Sequence, residues 1–242
     1  GYGKKVCMII FSVIKRIARV GFEPHDLRVM GPTRTPGSST SLYNKNPQST
    51  YKSNCMKSKM AEIYEPAEDS FLMSEALKER VPKMLIENPN LKFIEIGCGS
   101  GINMETAKEV GVKIKNIMGC DINNEAVEHC KRLGFSCIKS DLFDNVDGKC
   151  DVIAFNPPYL PKDKKEPKSS RVETTGGKKG NEIIVRFLKE AKSHLTQNGR
   201  IFVITSSLAQ NVDFLGWGYK AKEIASKKLF FEKLFIWECL KV

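Results

Sequence analysis

The chain has 242 residues, of which 41% are hydrophobic, enough for one α/β domain with a sizeable core, alone or with an appendage. A formal net charge of +11 would by itself suggest nucleic acid or an acidic surface as partner, but residues 1–59 carry 11 Lys+Arg against two Asp+Glu. Residues 60–242 therefore carry a net charge of only +2, which argues against a body that binds nucleic acid through its charge.

The first 59 residues predict a basic, disordered extension. Their longest early apolar stretch, residues 6–14, spans nine residues, whereas a bilayer-spanning helix needs about 20, so we expect a soluble protein. Ser, Thr, Pro, Gly and Asn predominate from 21 to 54. Residues 21–40 resemble peptides made when a tRNA gene is translated by mistake, so we expect the natural start at Met60 or Met56. A genuine basic arm that contacts RNA is the alternative.

Helical and strand-like patterns alternate after Met60. Glu65-Pro66 is a good helix opening and predicts a helix over 67–80. Further predicted helices are 102–110, 124–133 and 182–195, predicted strands are 93–96, 114–120, 136–138, 152–155 and 200–205, and two strand-like runs within 219–242 could close the sheet as a hairpin. Near-continuous apolar strands separated by helices are typical of a mostly parallel sheet covered on both faces.

The cysteines predict no metal site. The eight lie at positions 7, 55, 98, 120, 130, 137, 150 and 239, no two of them have C-x-x-C spacing, and the three histidines are scattered. Several of these cysteines fall inside apolar runs. They are therefore interpreted as reduced core thiols of a cytosolic protein.

A glycine-rich turn at 97–101, Gly-Cys-Gly-Ser-Gly, joins the predicted strand 93–96 to a helix. Gly97, Gly99 and Gly101 would permit positive φ and a close approach of the backbone to a ligand. Asp121 ends the next strand, 20 residues after Gly101, where a carboxylate can accept both hydrogens of a ribose diol. Ligand-binding residues at successive strand ends predict a nucleoside lying across the carboxyl edge of the sheet.

Two further features of this edge favour a sulfonium nucleoside over a dinucleotide. The dinucleotide fingerprint is G-x-G-x-x-G, but here the third glycine comes one residue early. Glu95, just before the turn, would repel a pyrophosphate but would tolerate the ammonium group of a methionine. Asp141 follows the third strand, where its carboxylate or the neighbouring amide of Leu142 can meet an adenine edge.

The predicted strand 152–155 runs into Asn-Pro-Pro-Tyr at 156–159. Proline after Asn156 holds the turn rigid, and the prolines lack N–H donors, so the loop offers acceptors for the two hydrogens of a planar NH₂ group. Tyr159 would stack on the acceptor plane and stabilise the sulfonium charge. This arrangement predicts an in-line methyl transfer in which positioning of the acceptor supplies most of the catalysis and no general base is required.

Residues from about 64 to the C-terminus resemble the HemK-type release-factor glutamine methyltransferases, and within them the short archaeal and eukaryotic branch. The residues that carry the resemblance are the Tyr-Glu-Pro-Ala-Glu-Asp-Ser-Phe run at 64–71, residues 95–101, Asp121, Asp141 and residues 156–159. Many methyltransferases share the glycine turn, and adenine-N6 and guanine-N2 enzymes share Asn-Pro-Pro-Tyr. The Tyr-Glu-Pro-Ala-Glu-Asp run at 64–69 is specific to this branch. Ser70 stands where threonine is common in the family.

The resemblance implies a Rossmann-like, doubly wound, mostly parallel seven-stranded class I methyltransferase fold over 60–242. It implies S-adenosyl-L-methionine as cofactor, S-adenosyl-L-homocysteine as product, and transfer in the cytoplasm to the Gly-Gly-Gln amide of a class I release factor, together with a small zinc-binding activator as heterodimer partner. The implied cofactor contacts are Ser70, Glu95, Gly97, Gly99, Gly101, Asp121, Asp141, Leu142 and Asn156, and the implied acceptor contacts are Asn156, Pro157 and Tyr159.

The acceptor itself stays open. Adenine in nucleic acid and a lysine side chain are alternatives, since the loop recognises the geometry of an amino group more than the molecule that carries it. A non-catalytic binding subunit is disfavoured because Asn156 and the glycines are present, and a dehydrogenase by the glycine spacing. Residues 162–181, rich in Lys and Gly, predict a mobile lid whose charge could guide an acidic or ribosome-related substrate.

Overall fold

The computed structural model describes Ile63 and residues 66–159 and 176–242. The predicted extension 1–59, the expected start at Met56 or Met60, Tyr64, Glu65 and residues 162–175 of the predicted lid lie outside these residues. Within the described part, no helix is both long and apolar enough to cross a bilayer.

Seven strands form one sheet. They are β1 (Phe93–Ile96), β2 (Ile117–Asp121), β3 (Ser136–Lys139), β4 (Cys150–Phe155), β5 (Leu195–Ser206), β6 (Tyr219–Lys228) and β7 (Lys233–Lys241). The order across the sheet is β3-β2-β1-β4-β5-β7-β6. Strands β1 to β5 pair in parallel, and β7 lies antiparallel between β5 and β6. The predicted mostly parallel seven-stranded sheet and its closing hairpin are therefore confirmed.

Helices cover the sheet on both faces. They are α1 (Glu68–Glu87), α2 (Ile102–Glu109), α3 (Asn124–Arg132) and α4 (Glu182–His194). Successive strand residues point to opposite faces, so Phe93 packs with residues of α1, α2 and α3, whereas Ile94 packs with residues of α4. This alternation within one strand produces two hydrophobic cores and a doubly wound layer structure.

Three predicted boundaries differ from the structure by three residues or more. The helix predicted to end at 80 continues through Pro82 to Glu87. Val81, the first residue after the predicted end, is fully buried and holds the next turn against the core. The strand predicted over 114–120 begins as a 3₁₀ turn, Ile114–Asn116. Ile114 is 43% exposed, and pairing with β1 begins only at Ile117.

The third difference lies at the junction of α4 and β5. Leu195 was predicted as the last helical residue, but it begins β5 by pairing with Cys150 of β4. The strand is therefore five residues longer at its start than the predicted 200–205. Hydrophobic periodicity alone does not separate a helix end from an adjoining strand.

Candidate active site

The residues that follow β1, β2 and β4 meet at the carboxyl edge of the sheet. Ile96, the last residue of β1, pairs in register with Cys120 of β2 and Phe155 of β4. Gly97, Asp121 and Asn156 come next on the three strands, and neighbouring strands lie about 4.8 Å apart. The structure therefore places the predicted cofactor turn beside the predicted acceptor loop, with β1 and β4 as direct neighbours.

The glycine turn has a backbone that only glycine adopts readily. Gly97, Gly99 and Gly101 have φ values of +67°, +46° and +82°. The Gly101 N–H donates to the carbonyl of Cys98 at 2.7 Å, which closes the turn just before α2 begins. A Cβ added at Gly101 would lie 3.2 Å from the Sγ atom of Cys130. Both the conformation and the crowding therefore require glycine at this position.

Asp121 joins the glycine turn to the end of β2. Its Oδ2 accepts a hydrogen bond from the Gly99 N–H at 2.9 Å, and its Oδ1 accepts one from the Asn123 N–H at 2.8 Å. Burial raises the pKa of this carboxyl group, while the backbone donors oppose the rise. Each carboxylate oxygen has a second lone pair, so Asp121 can hold the turn and still accept hydrogen bonds from a diol.

Glu95 is 2% exposed and lies in the middle of the sheet. Its Oε1 accepts a hydrogen bond from the Asn103 side-chain amide at 2.6 Å, but its buried Oε2 has no hydrogen-bond partner among the residues described. Burial raises the pKa of Glu95 to about 8, and the hydrogen bond from Asn103 opposes this rise. A cationic group beside Oε2 would stabilise the ionised form of this carboxylate, which burial disfavours.

The side-chain oxygen of Asn156 is also buried and has no partner within the described parts of the chain. Pro157 beside it is buried and has no N–H, and Pro158 has none either. A buried, unsatisfied oxygen destabilises a protein by about 1–3 kcal/mol. An incoming N–H donor would satisfy the Asn156 oxygen without competition from the two prolines.

Tyr159 connects the acceptor loop to the start of α1. The residue is 5% exposed, and its hydroxyl donates to Oδ2 of the buried Asp69 at 3.2 Å. Asp69 also accepts a hydrogen bond from the Ser70 N–H at 2.8 Å through Oδ1. Ser70, predicted to contact the cofactor, is buried in this first turn of α1. Stacking of Tyr159 on an acceptor stays a prediction, whereas its hydroxyl holds the loop in place.

The loop after β3 is held by an ion pair. Asp141 accepts a hydrogen bond from Arg186 of α4 at 2.5 Å, and Arg186 also binds Glu190 at 3.0 Å. The hydrogen bond to Asp141 raises the pKa of Arg186 most, and the one to Glu190 raises it further. Leu142 is buried at φ +48°, and its carbonyl accepts a hydrogen bond from the Cys120 thiol at 3.3 Å. The ion pair holds this loop at the edge of the sheet, where its backbone amides can meet an adenine edge.

Sequence reasoning did not identify three partners of the site residues: Asn103, Arg186 and the Asp69 side chain. Asn103 had a usable signal, because it lies in the first turn of the helix that follows the glycine turn and so faces the same edge. Arg186 and Asp69 lie 45 and 90 residues from Asp141 and Tyr159. Only the packing of α4 and α1 against the sheet brings them together.

Comparison with known proteins adds independent information. A family model described as "Methyltransferase small domain" matches residues 72–231. A provisionally named protein N5-glutamine methyltransferase of Methanocaldococcus jannaschii is 37% identical over 187 residues, covering 72% of this chain and 90% of its own length. The eRF1 methyltransferase catalytic subunit of Schizosaccharomyces pombe is 29% identical over 166 residues, covering 59% and 72% respectively.

A solved structure shows the same fold. The E. cuniculi Mtq2–Trm112 complex, described as responsible for methylating the eRF1 translation termination factor, contains a chain that matches this one with a TM-score of 0.56 and 24% identity. The match covers 74% of this chain and 98% of the other.

Proposed function

We propose that this chain methylates the glutamine side-chain amide in the Gly-Gly-Gln motif of a class I release factor. The chain belongs to the methyltransferase small domain family and, within it, to the HemK-type protein N5-glutamine methyltransferases. Membership of this class I family implies S-adenosyl-L-methionine as methyl donor. The predicted family, the Rossmann-like fold and the enzyme class are confirmed.

The carboxyl edge of the sheet fits this cofactor. Oε2 of Glu95, which has no hydrogen-bond partner among the described residues, suits the methionine ammonium. The remaining lone pairs of Asp121 suit the ribose hydroxyls. We assign Ser70, Asp141 and Leu142 to the surroundings of the cofactor. The bound cofactor supplies an electrophilic methyl group on a sulfonium. Gly97, Gly99 and Gly101 carry no side chains that would block its approach.

The buried Asn156 oxygen is the observation that carries the proposed acceptor chemistry. This oxygen and a proline-loop carbonyl would accept the two N–H hydrogens of a planar amide, which directs the nitrogen lone pair towards the methyl carbon. The bound cofactor would supply the methyl group to this nitrogen, and the nitrogen would lose one N–H proton to solvent. Asn156 and Pro157 position the amide, and Tyr159 fixes the loop through Asp69.

We also propose a protein partner for this chain. The E. cuniculi relative is described as a complex with Trm112, and we extend a heterodimer with a small zinc-binding activator to this chain. The catalytic domain would comprise residues 60–242, and the reaction would occur in the cytoplasm, where release factors act. Nucleic acid is not favoured as substrate, since residues 60–242 carry a net charge of only +2.

A methyl-transfer assay with labelled cofactor tests the acceptor. Release factor, its Gly-Gly-Gln variant with Gln replaced by Ala, DNA and a histone-like protein are offered side by side, with and without the activator. We expect label on the release factor, loss of label with the Gln-to-Ala variant, and a higher rate with the activator. Label on DNA alone, or on the histone-like protein alone, would replace the acceptor by adenine or lysine.

A further inference from the structure

Three cysteines from separate elements converge beneath the glycine turn. Cys98 lies within the turn, Cys130 on α3 and Cys137 on β3, and each is at most 4% exposed. Their Sγ atoms all lie within 4.8 Å of one another. The sequence spacing of 32 and 7 residues has no metal-binding signature, so this convergence arises only in the folded chain.

The geometry of the three sulfurs is close to that of a metal site. A zinc–sulfur bond of about 2.3 Å separates two sulfurs of a tetrahedral site by about 3.8 Å. The observed sulfurs need to approach one another by about 1 Å at most, through small movements of their side chains and of the glycine turn. Soft thiolate sulfur prefers zinc(II) and copper(I) over magnesium or calcium.

The electrostatics of the cluster also favour a cation. Hydrogen bonds from the thiols of Cys130 and Cys98 lower the pKa of Cys137. Thiolate is the form of cysteine that binds metal. The Cys130 sulfur also lies 3.5 Å from the Gly99 carbonyl oxygen, which places the cluster directly against the turn.

We propose that Cys98, Cys130 and Cys137 form a binding site for one thiophilic metal ion, zinc(II) or copper(I), and that its occupancy is coupled to the glycine turn. Coordination by three thiolates releases their S–H protons to solvent. The site uses only residues of this chain and is separate from any zinc that the proposed activator would hold.

The coupling follows from the position of Cys98. Its N–H donates to the Cys120 carbonyl at 2.9 Å, and its carbonyl accepts from the Gly101 N–H at 2.7 Å. Drawing its Sγ into coordination therefore displaces the turn that we assign to the cofactor. Metal binding should weaken cofactor binding, and by linkage cofactor should weaken metal binding to the same extent. This coupling rests on the proposed function, but the metal site does not.

Metal titration of the full chain tests the site. Because Cys7 and Cys55 lie outside the described residues, every protein carries Cys7→Ser and Cys55→Ser. Zinc(II), and separately copper(I) under reducing conditions, are titrated while bound metal and melting temperature are measured. We expect one ion per chain and a higher melting temperature with metal. Cys137→Ser and, separately, Cys130→Ala should weaken binding at least about tenfold, whereas the buried controls Cys150→Ser and Cys239→Ser should not.

Melting without metal shows which variants fold, and two independent cluster variants keep the test decisive if one does not. Equal metal affinity in the cluster variants and the controls would overturn the site, as would no binding by the parent protein. Unchanged cofactor affinity at saturating metal would overturn the coupling alone. An inactive enzyme that still binds metal through the cluster would contradict the proposed function and support the metal site.

Discussion

At the scale of single residues, three buried oxygens without partners distinguish this edge of the sheet. They are Oε2 of Glu95, Oδ1 of Asn103 and Oδ1 of Asn156, and none has a hydrogen-bond partner in the part of the chain that the structure describes. Folded proteins satisfy most buried polar atoms, so unsatisfied ones mark positions where a ligand completes the structure. Glu95 lies within β1, and Asn156 directly follows the neighbouring strand β4. We assign Oε2 of Glu95 to the cofactor and Oδ1 of Asn156 to the acceptor.

The first prediction concerns Asn156. Replacement by Ala removes the proposed acceptor of the substrate N–H but leaves the glycine turn intact. Turnover should fall roughly 100-fold, because misplacing the nucleophile slows the transfer step, while cofactor affinity stays measurable. Steady-state kinetics and cofactor titration check this. Asn90→Ala, on an exposed residue before β1, is the matched control. Undiminished turnover in Asn156→Ala would remove this residue from the mechanism.

The second prediction concerns the titration of Glu95 in the cofactor-free protein. Burial raises its pKa from 4.5 to about 8 on folding, so the folded state binds this proton more tightly than the unfolded state. The resulting stabilisation is complete below pH 4.5 and is lost as the pH rises to about 8. Across this window the unfolding free energy should fall by about 1.4 kcal/mol per pH unit.

Urea unfolding between pH 5 and 8 measures this dependence. Glu95→Gln cannot ionise, so its unfolding free energy should lack the contribution, and the difference between the two proteins isolates it from other titrating groups. Glu105→Gln, on an exposed residue of α2, should keep the slope of the parent protein. Parallel curves for parent and Glu95→Gln would contradict the assigned burial and pKa of Glu95.

At the scale of elements, each proposed binding loop is tied to a helix. The hydroxyl of Tyr159 ties the acceptor loop to α1 through Asp69, and Arg186 of α4 ties the loop after β3 through Asp141. Because residues on rigid elements position a ligand more precisely than free loops do, these contacts should fix both sides of the site.

The third prediction compares two glycines with similar backbones. Gly101 and Gly148 have φ values of +82° and +80°, but only at Gly101 would a Cβ meet a neighbour, at 3.2 Å. Alanine should destabilise the protein by about 1–2 kcal/mol at either position through its φ angle. Crowding against Cys130 should add about 1 kcal/mol or more at Gly101.

Urea unfolding and cofactor titration distinguish the two variants. Gly101→Ala should be the less stable protein and should bind cofactor more weakly, because its turn is displaced. Gly148→Ala is the control for positive φ and should keep the cofactor affinity of the parent. Equal stability and equal cofactor affinity in the two variants would show that the turn tolerates a side chain at 101.

At the scale of the whole molecule, the site residues described here all belong to residues 66–159 and 176–242. The fourth prediction is that a chain comprising residues 60–242 keeps its turnover within about twofold of the full chain, as expected of a self-contained domain. Methyl-transfer assays of both chains check this. Loss of turnover in the shorter chain would contradict the assigned domain boundary.

RNA binding at increasing salt tests the alternative role of residues 1–59. A genuine basic arm would give the full chain a salt-sensitive affinity for RNA that the shorter chain lacks, because removal of residues 1–59 lowers the net charge from +11 to +2. Equal RNA affinity of the two chains at every salt concentration would exclude this role.

Local patterns were sufficient to predict much of this protein. Strand β1 has the predicted bounds, 93–96, because a short apolar run followed by Gly-Cys-Gly-Ser-Gly identifies a strand and its turn without distant contacts. The order of acidic residues and Asn-Pro-Pro-Tyr after successive strands predicted one shared edge, since parallel strands bring their carboxyl ends together. The register of β1 with β2 and β4 confirms that arrangement.

Contacts between distant segments decided the rest. Periodicity does not show that Val81 carries α1 past Pro82, that Arg186 reaches Asp141, or that Tyr159 bonds to Asp69. Nor does spacing show that the sulfurs of three cysteines lie together in one cluster. The sequence by itself determined which residue types stand at each strand end. Only the tertiary structure decided which atoms are buried and left unpaired, because burial depends on every element that packs over them.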